Sequence, residues 1–290
     1  MCVMSLESLL RNSAKEIESD ISFDKAVSLH FIALLERYSK RPFFYKNALK
    51  LSRLTVSFIL LGEYFSNPKP LLSEVKEMCI SRGYCSKNSM ESIFILYRAL
   101  GFLDIMADPD DSRFRTFAPS RLACSEVRSI LNSVTDPLVV LFPSAGELNA
   151  LKELDDYEFL SIYFNFFSKL VEAKLTIDVL LPECCWMLER DAGHLLMLAI
   201  YNDALVSEGG YARYRQSSYL SLAEKLSVSK SHIIRFVKAG ADKGYFKIHS
   251  KTKLELLPSF INLARHFMAF TFAIGFCSAK FVNADFIGSP

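Results

Sequence analysis

Apolar residues recur at helical spacing along most of the chain. From Ser22 to Lys40 they fall at Phe23, Ala26, Val27, His30, Phe31, Leu34 and Leu35, one face of a helix that Arg41-Pro42 ends. Because His30 lies on that apolar stripe, a core histidine is expected there. Residues 1–20 form a weaker amphipathic helix. A further helix covers about Asn47 to Phe65, broken by Asn67-Pro68-Lys69-Pro70.

The pattern then shortens. Ser73 to Ile80 predicts a short helix and Ser81 to Cys85 a turn. Ser86 opens a longer helix that stops at Gly101. Leu103 to Met106 and Arg113 to Phe117 read as two strands, with a tip from Ala107 to Ser112 between them. Pro119-Ser120 starts another helix, to about Asn132. The same order returns later. Leu220 to Leu226 is a short helix, Ser227-Val228-Ser229 a tight turn, and Lys230 to Lys243 a longer helix stopped by Gly244. Tyr245 to Ile248 and Leu254 to Leu257 make a hairpin around the basic tip His249-Ser250-Lys251-Thr252-Lys253. Ile233 and Val237 fall at i, i+4 and are expected to face inward. Ala239, Gly240 and Ala241 are small enough to let a neighbouring helix approach.

The two runs align. Ser86-Lys87 and Gly101 to Ile105 match Ser229-Lys230 and Gly244 to Ile248 at one offset of 143 positions, and Pro119-Ser120 matches Pro258-Ser259 at 139. An amphipathic helix precedes each run, Leu54 to Phe65 and Leu195 to Leu205. Length differences confined to loops indicate two copies of one unit. Between them, Val134 to Glu147 carries the apolar run Leu138 to Phe142 and should pack against the body. Two helices are expected next, about Ala150 to Ala173 and about Cys184 to Ser207, the latter ended by Gly209-Gly210. Tyr157, Phe159, Tyr163, Phe164, Phe166 and Phe167 cover too many faces for a surface helix, so the first should be buried between the two halves. The expected fold is mainly α, with two winged helix-turn-helix units, each with a small β-hairpin wing, joined by a helical layer. Its expected parts are residues 1–133, 134–183 and 184–290.

Charge separates the copies. Tyr211 to Lys253 holds ten Lys/Arg against two acids, a net of +8 in a chain of net charge +2. Such concentration is the footprint of a nucleic-acid binder. Ser73 to Phe117 holds six basic and seven acidic residues, a net of −1, and its tip Asp108-Pro109-Asp110-Asp111 would repel phosphate.

The stretch 228–246, VSKSHIIRFVKAGADKGYF, resembles the recognition-helix segment of bacterial winged-helix regulators. With its flanking helices the chain is similar to the multiple-antibiotic-resistance-type (MarR) family, whose members are homodimers with one winged helix per subunit. The chain resembles two such subunits fused into a single-chain pseudo-dimer. The resemblance implies that Lys230, Ser231, His232 and Arg235 approach bases, while Lys238, Lys251 and Lys253 meet the DNA backbone. The matching positions in the first copy are Lys87, Asn88, Ser89 and Ser92, with Arg113 and Arg115 on the wing. Arg235 has the donors for a bidentate pair with guanine, and Asn88 the groups for adenine. The family pattern also implies a small-molecule effector between the helical layer and the winged helices. The first copy departs from the pattern in its long turn and acidic tip.

Other chemistry is not signalled. The sequence has no phosphate-cradling glycine loop, no HExxH and no nucleophile elbow, so neither an enzyme nor a cofactor is expected. Seven cysteines form no zinc-type CxxC pair and read as buried free thiols; a redox sensor would need a lowered thiol pKa. The most apolar stretch, Phe267 to Ala279, reads as a packed terminal helix too short for a membrane span. The N-terminus lacks secretory features. The expectation is a cytoplasmic double-stranded-DNA-binding transcriptional regulator, as a monomeric pseudo-dimer or a homodimer. A plasmid-type replication initiator with tandem winged helices, or a winged-helix adaptor for protein partners, would share these features.

Overall fold

The computed structural model describes residues 5–108, 111, 113–205, 217–250 and 254–286. The protein is mainly α-helical with two small antiparallel hairpins. In chain order the helices before the first hairpin are α1 (Leu6–Ser19), α2 (Phe23–Lys40), α3 (Pro42–Ala48), α4 (Leu51–Ser66), α5 (Leu72–Ser81) and α6 (Lys87–Ala99). Strands β1 (Leu103–Ala107) and β2 (Arg115–Pro119) follow, then α7 (Arg121–Leu141), α8 (Gly146–Glu153), α9 (Asp156–Glu172), α10 (Ile177–Leu180), α11 (Cys185–Leu188) and α12 (Gly193–Leu205). The last run is α13 (Tyr219–Lys225), α14 (Lys230–Asp242), β3 (Phe246–Ile248), β4 (Leu254–Leu256) and α15 (Pro258–Phe286).

Local chemistry sets many of these boundaries. The Ser86, Ser120, Ser218 and Ser229 hydroxyls each accept the backbone N–H three residues on, at 3.0–3.2 Å, which satisfies a donor the first helical turn leaves open. Gly101 and Gly244 close α6 and α14 with φ of 70° and 75°, a conformation glycine adopts without steric cost. The hairpins then pair in register, Leu103 with Pro119 and Phe246 with Leu256.

Other boundaries differ from the expectation. Pro42 opens α3 as well as ending α2, because its fixed φ suits the first helical position. The helix expected to stop near Asn132 runs on to Leu141 through Pro137, with Val134, Leu138 and Leu141 buried. The aromatic helix is two: the chain is extended at Leu154 and Asp155, and the Asp155 carboxylate accepts the Glu158 N–H at 2.9 Å to start α9. The Cys184–Ser207 helix is interrupted at Glu189–Ala192, where Ala192 takes a φ of 53°. Val206, Ser207 and Gly209-Gly210 lie outside the described residues.

The chain forms two compact units, neither of them a continuous stretch. One contains 1–13, 52–176 and 273–290; the other contains 14–51 and 177–272. The unit holding α5, α6 and β1–β2 takes α9 into its core. Phe58 of α4 meets the rings of Tyr163, Phe164 and Phe167 edge-on at 5.2–6.3 Å. Arg128 of α7 lies 3.7 Å over the Phe159 ring and donates to the carbonyls of Lys152 and Asp155, tying the α8–α9 joint to α7. Desolvation holds its pKa below the usual guanidinium value, but the group stays charged. Arg128→Ala strips both carbonyls of a charged donor and should lower unfolding stability by about 2–3 kcal/mol. Urea denaturation checks this; a loss below about 0.5 kcal/mol would mean that water replaces the guanidinium.

The unit holding α13, α14 and β3–β4 is built on α12, where Leu195, Leu196, Met197, Leu198 and Ile200 are all fully buried. A helix apolar on every side belongs in a core. It packs against the predicted stripe of α2. Tyr38 of α2 donates to the Leu226 carbonyl at 2.6 Å, and burial pushes its phenol up to about 12. Arg265 joins Asp24 at 2.6 Å and the Glu18 carbonyl at 2.8 Å. His30 is buried as expected, but it stacks on a second buried histidine, His194, at 5.5 Å between ring centroids. Helix α15 extends well beyond Phe267–Ala279. Over Pro258–Phe281 it is long and apolar enough to cross a membrane by length and composition, yet 72% of its most apolar window is buried within the protein.

Candidate functional site

The site surface is made by α13, α14 and the β3–β4 hairpin. Ile233, Phe236, Val237 and Gly240 of α14 are buried, and this fixes which residues face outward. Lys230, Ser231, Arg235 and Lys238 are all exposed. Gly240 admits aromatic rings rather than the expected neighbouring helix. A Cβ there would lie 2.5 Å from the Phe246 ring and 3.2 Å from Trp186. Trp186 stacks on Tyr245 with a centroid separation of 5.7 Å, so the foot of the hairpin is held from behind.

His232 is placed differently from its neighbours. It is half-buried, and its Nε2 lies 3.0 Å from the Asp191 carbonyl oxygen. Burial lowers its pKa, with the hydrogen bond to Asp191 opposing. The Asp191 carboxylate pairs with Lys50 at 2.7 Å, and that hydrogen bond holds it below the ordinary aspartate range. His232 thus anchors the start of α14 to the α11–α12 turn. Lys251 and Lys253 lie outside the described residues, as do Arg213 and Arg215. Beside the hairpin tip, His249 pairs with Glu255 at 2.7 Å.

A groove of about 530 Å³ runs between α14, the start of α13 and the hairpin. Leu220, Ile234, Val237 and Ile248 give it an apolar lining, with Lys230 and Lys238 among its walls. No motif in the sequence announces this groove. The signal was present in Ile234 itself, a large apolar side chain off the buried stripe of an otherwise cationic helix.

In the other unit, Lys87, Asn88 and Ser89 are exposed on the first turn of α6. The Ser89 hydroxyl lies 2.9 Å from that of Ser86. Glu91, which aligns with Ile234, pairs with Lys76 at 2.6 Å. Arg113 is held by Asp111 at 2.5 Å, which offsets its charge, while Arg115 is exposed on β2. Asp108 is buried and pairs with Lys69 at 2.9 Å, so it is not an acidic projection at the tip. Pro109, Asp110 and Ser112 lie outside the described residues. The matching surface therefore carries far less uncompensated positive charge.

Among the described residues no group of three or more His, Cys, Asp or Glu side chains is placed to hold a metal ion. The six described thiols are all shifted up by burial, Cys79 to about 12. The chain matches no protein-family model, no curated protein and no solved structure in the comparisons made with each.

Proposed function

We propose that the protein is a sequence-specific double-stranded-DNA-binding transcriptional regulator that uses two unequal winged helix-turn-helix units as a single-chain pseudo-dimer. One observation carries the reading. The outward face of α14 presents Lys230, Ser231, Arg235 and Lys238 together, beside a hairpin whose strand β3 exposes Lys247. Cations on the exposed face of the second helix of such a pair suit base edges and phosphates in the major groove. Repetition of helix, turn, helix and hairpin in each compact unit supports the pseudo-dimer. So does the composition of the units, since α2 precedes the first run but belongs with the second, and α9 precedes the second but belongs with the first. Reciprocal exchange of leading helices is what fusion of an intertwined dimer would leave.

The weaker charge on α6 makes Lys230, Arg235 and Lys238 the dominant contacts in this reading. It also favours a second reading, a replication initiator whose first unit serves assembly. Repeated direct sites near an origin would mark that alternative. Fluorescence anisotropy on duplex DNA across a salt series tests the main proposal. Affinity should fall linearly on logarithmic axes, and Lys238→Ala should reduce the slope by about 1. Arg235→Ala should cost about 1–3 kcal/mol on selected sequences and little on random ones. No binding at low salt would sink the proposal and favour a protein-binding adaptor.

A further inference from the structure

We infer that the groove beside α14 reads thymine, with Ile234 as the residue that senses the 5-methyl group. The inference rests on the DNA reading and names the chemistry of its target. Leu220 and Ile248 stand 52% and 43% exposed at this groove, and half-buried Ile234 lies between Lys230 and Lys238 on one line of α14. Exposed branched side chains grouped in a concave site call for an apolar occupant. The major groove offers one such group on a base edge, the methyl of thymine.

Charge favours DNA as the source of that methyl, since Lys230 and Lys238 stand exposed at the same groove. Lys230 and Lys238 are two helical turns apart, about 12 Å along the axis. Both side chains are long and flexible enough to reach phosphates at the groove edge while Ile234, midway between them, faces the bases. An acidic protein segment would satisfy the lysines too, and the test below separates that occupant from DNA. The other unit lacks the arrangement, because Glu91 stands where Ile234 stands and is paired with Lys76.

The test uses the full-length protein and a duplex selected by it from a random pool. Each thymine is replaced in turn by deoxyuridine, which keeps the Watson–Crick pairing and the O4 acceptor and removes only the methyl. Wild type should lose about 3- to 4-fold in affinity at one or two adjacent positions, the worth of one buried methyl, and nothing elsewhere. Ile234→Ala should bring the thymine-to-uracil ratio at those positions to about 1 while leaving the salt slope unchanged. Leu220→Ala, at a more exposed position, serves as a second variant if Ile234→Ala fails to fold. Equal binding of thymine and uracil duplexes by wild type overturns the inference and leaves the DNA reading standing. Failure to bind any duplex at low salt overturns both, and binding of an acidic amphipathic peptide in that case would reassign the groove to a protein partner.

Discussion

Gly193→Ala should destabilise the protein by about 3 kcal/mol, at the upper end of the range for forced overpacking. A Cβ on Gly193 would overlap the carbonyl oxygen of Met187 and lie 2.9 Å from its carbonyl carbon. No rotamer relieves that contact, because both partners are backbone. The Gly193 N–H also donates to the Arg190 carbonyl at 2.9 Å, which fixes the turn over the end of α11. Relief therefore requires the α11–α12 turn to move, and that turn holds Asp191, the partner of both His232 and Lys50. The effect is a large share of a typical total stability of about 5–15 kcal/mol. It should appear as a fall in Tm of roughly 6–12 °C. Gly146→Ala is the matched control, since nothing lies within 4 Å of the added carbon at that helix start. Calorimetry on both variants decides the matter. A Gly193→Ala melt within about 2 °C of wild type would show that the turn relaxes freely.

Acidification should cost about 2 kcal/mol between about pH 7.5 and pH 5.0 through His194. This side chain is buried against His30 and the edge of Phe267, whose ring centroid is 5.0 Å away. Desolvation, and then the neighbouring His30, push its pKa down from the usual 6.5 to about 3. The folded state therefore keeps His194 neutral while the unfolded chain takes up a proton near pH 6.5. Below that pH the unfolded state binds more protons, so stability falls, and it continues to fall until the folded histidine itself titrates near about pH 3. Half-buried His232, also shifted down, adds to the loss in the same direction. Urea unfolding of wild type and His194→Leu at the two pH values separates the contributions. The variant should lose most of the pH dependence above about pH 5. An unchanged slope in His194→Leu would assign the effect elsewhere.

Both predictions depend on features that local pattern reaches only partly. The stripe from Phe23 to Leu35 placed His30 in a core, since periodicity says which face of a helix is buried. It does not say what lies opposite, and the stacking of His30 on His194 joins residues 164 positions apart. Caps and stops were legible for the same local reason. Ser86, Ser229, Gly101 and Gly244 act within a few residues of themselves. The helix expected to end near Asn132 runs on through Pro137 because Val134, Leu138 and Leu141 are buried along it, and the spacing up to Asn132 does not announce that packing. The break at Glu189–Ala192 was missed because nothing in the local spacing separates a tight turn from an amphipathic helix.

The candidate site divides along the same line. Its cations were legible, since Lys230, Arg235 and Lys238 lie off the buried stripe of one helix, and a helix has only one set of faces. The role of His232 was not, because its partner is a carbonyl 41 residues away. The groove was not either, because it needs α13, α14 and the hairpin at once. By itself the sequence determined the order of helix, turn, helix and hairpin in both halves, the cationic character of α14 and the near neutrality of the α6 region. Tertiary structure alone decided that α2 completes the unit of the second run and α9 that of the first, that His232 turns toward Asp191, and that Ile234 lines a groove. An amphipathic pattern states how much apolar surface must leave water, and any complementary face can cover it. Only the packed chain selects which one does.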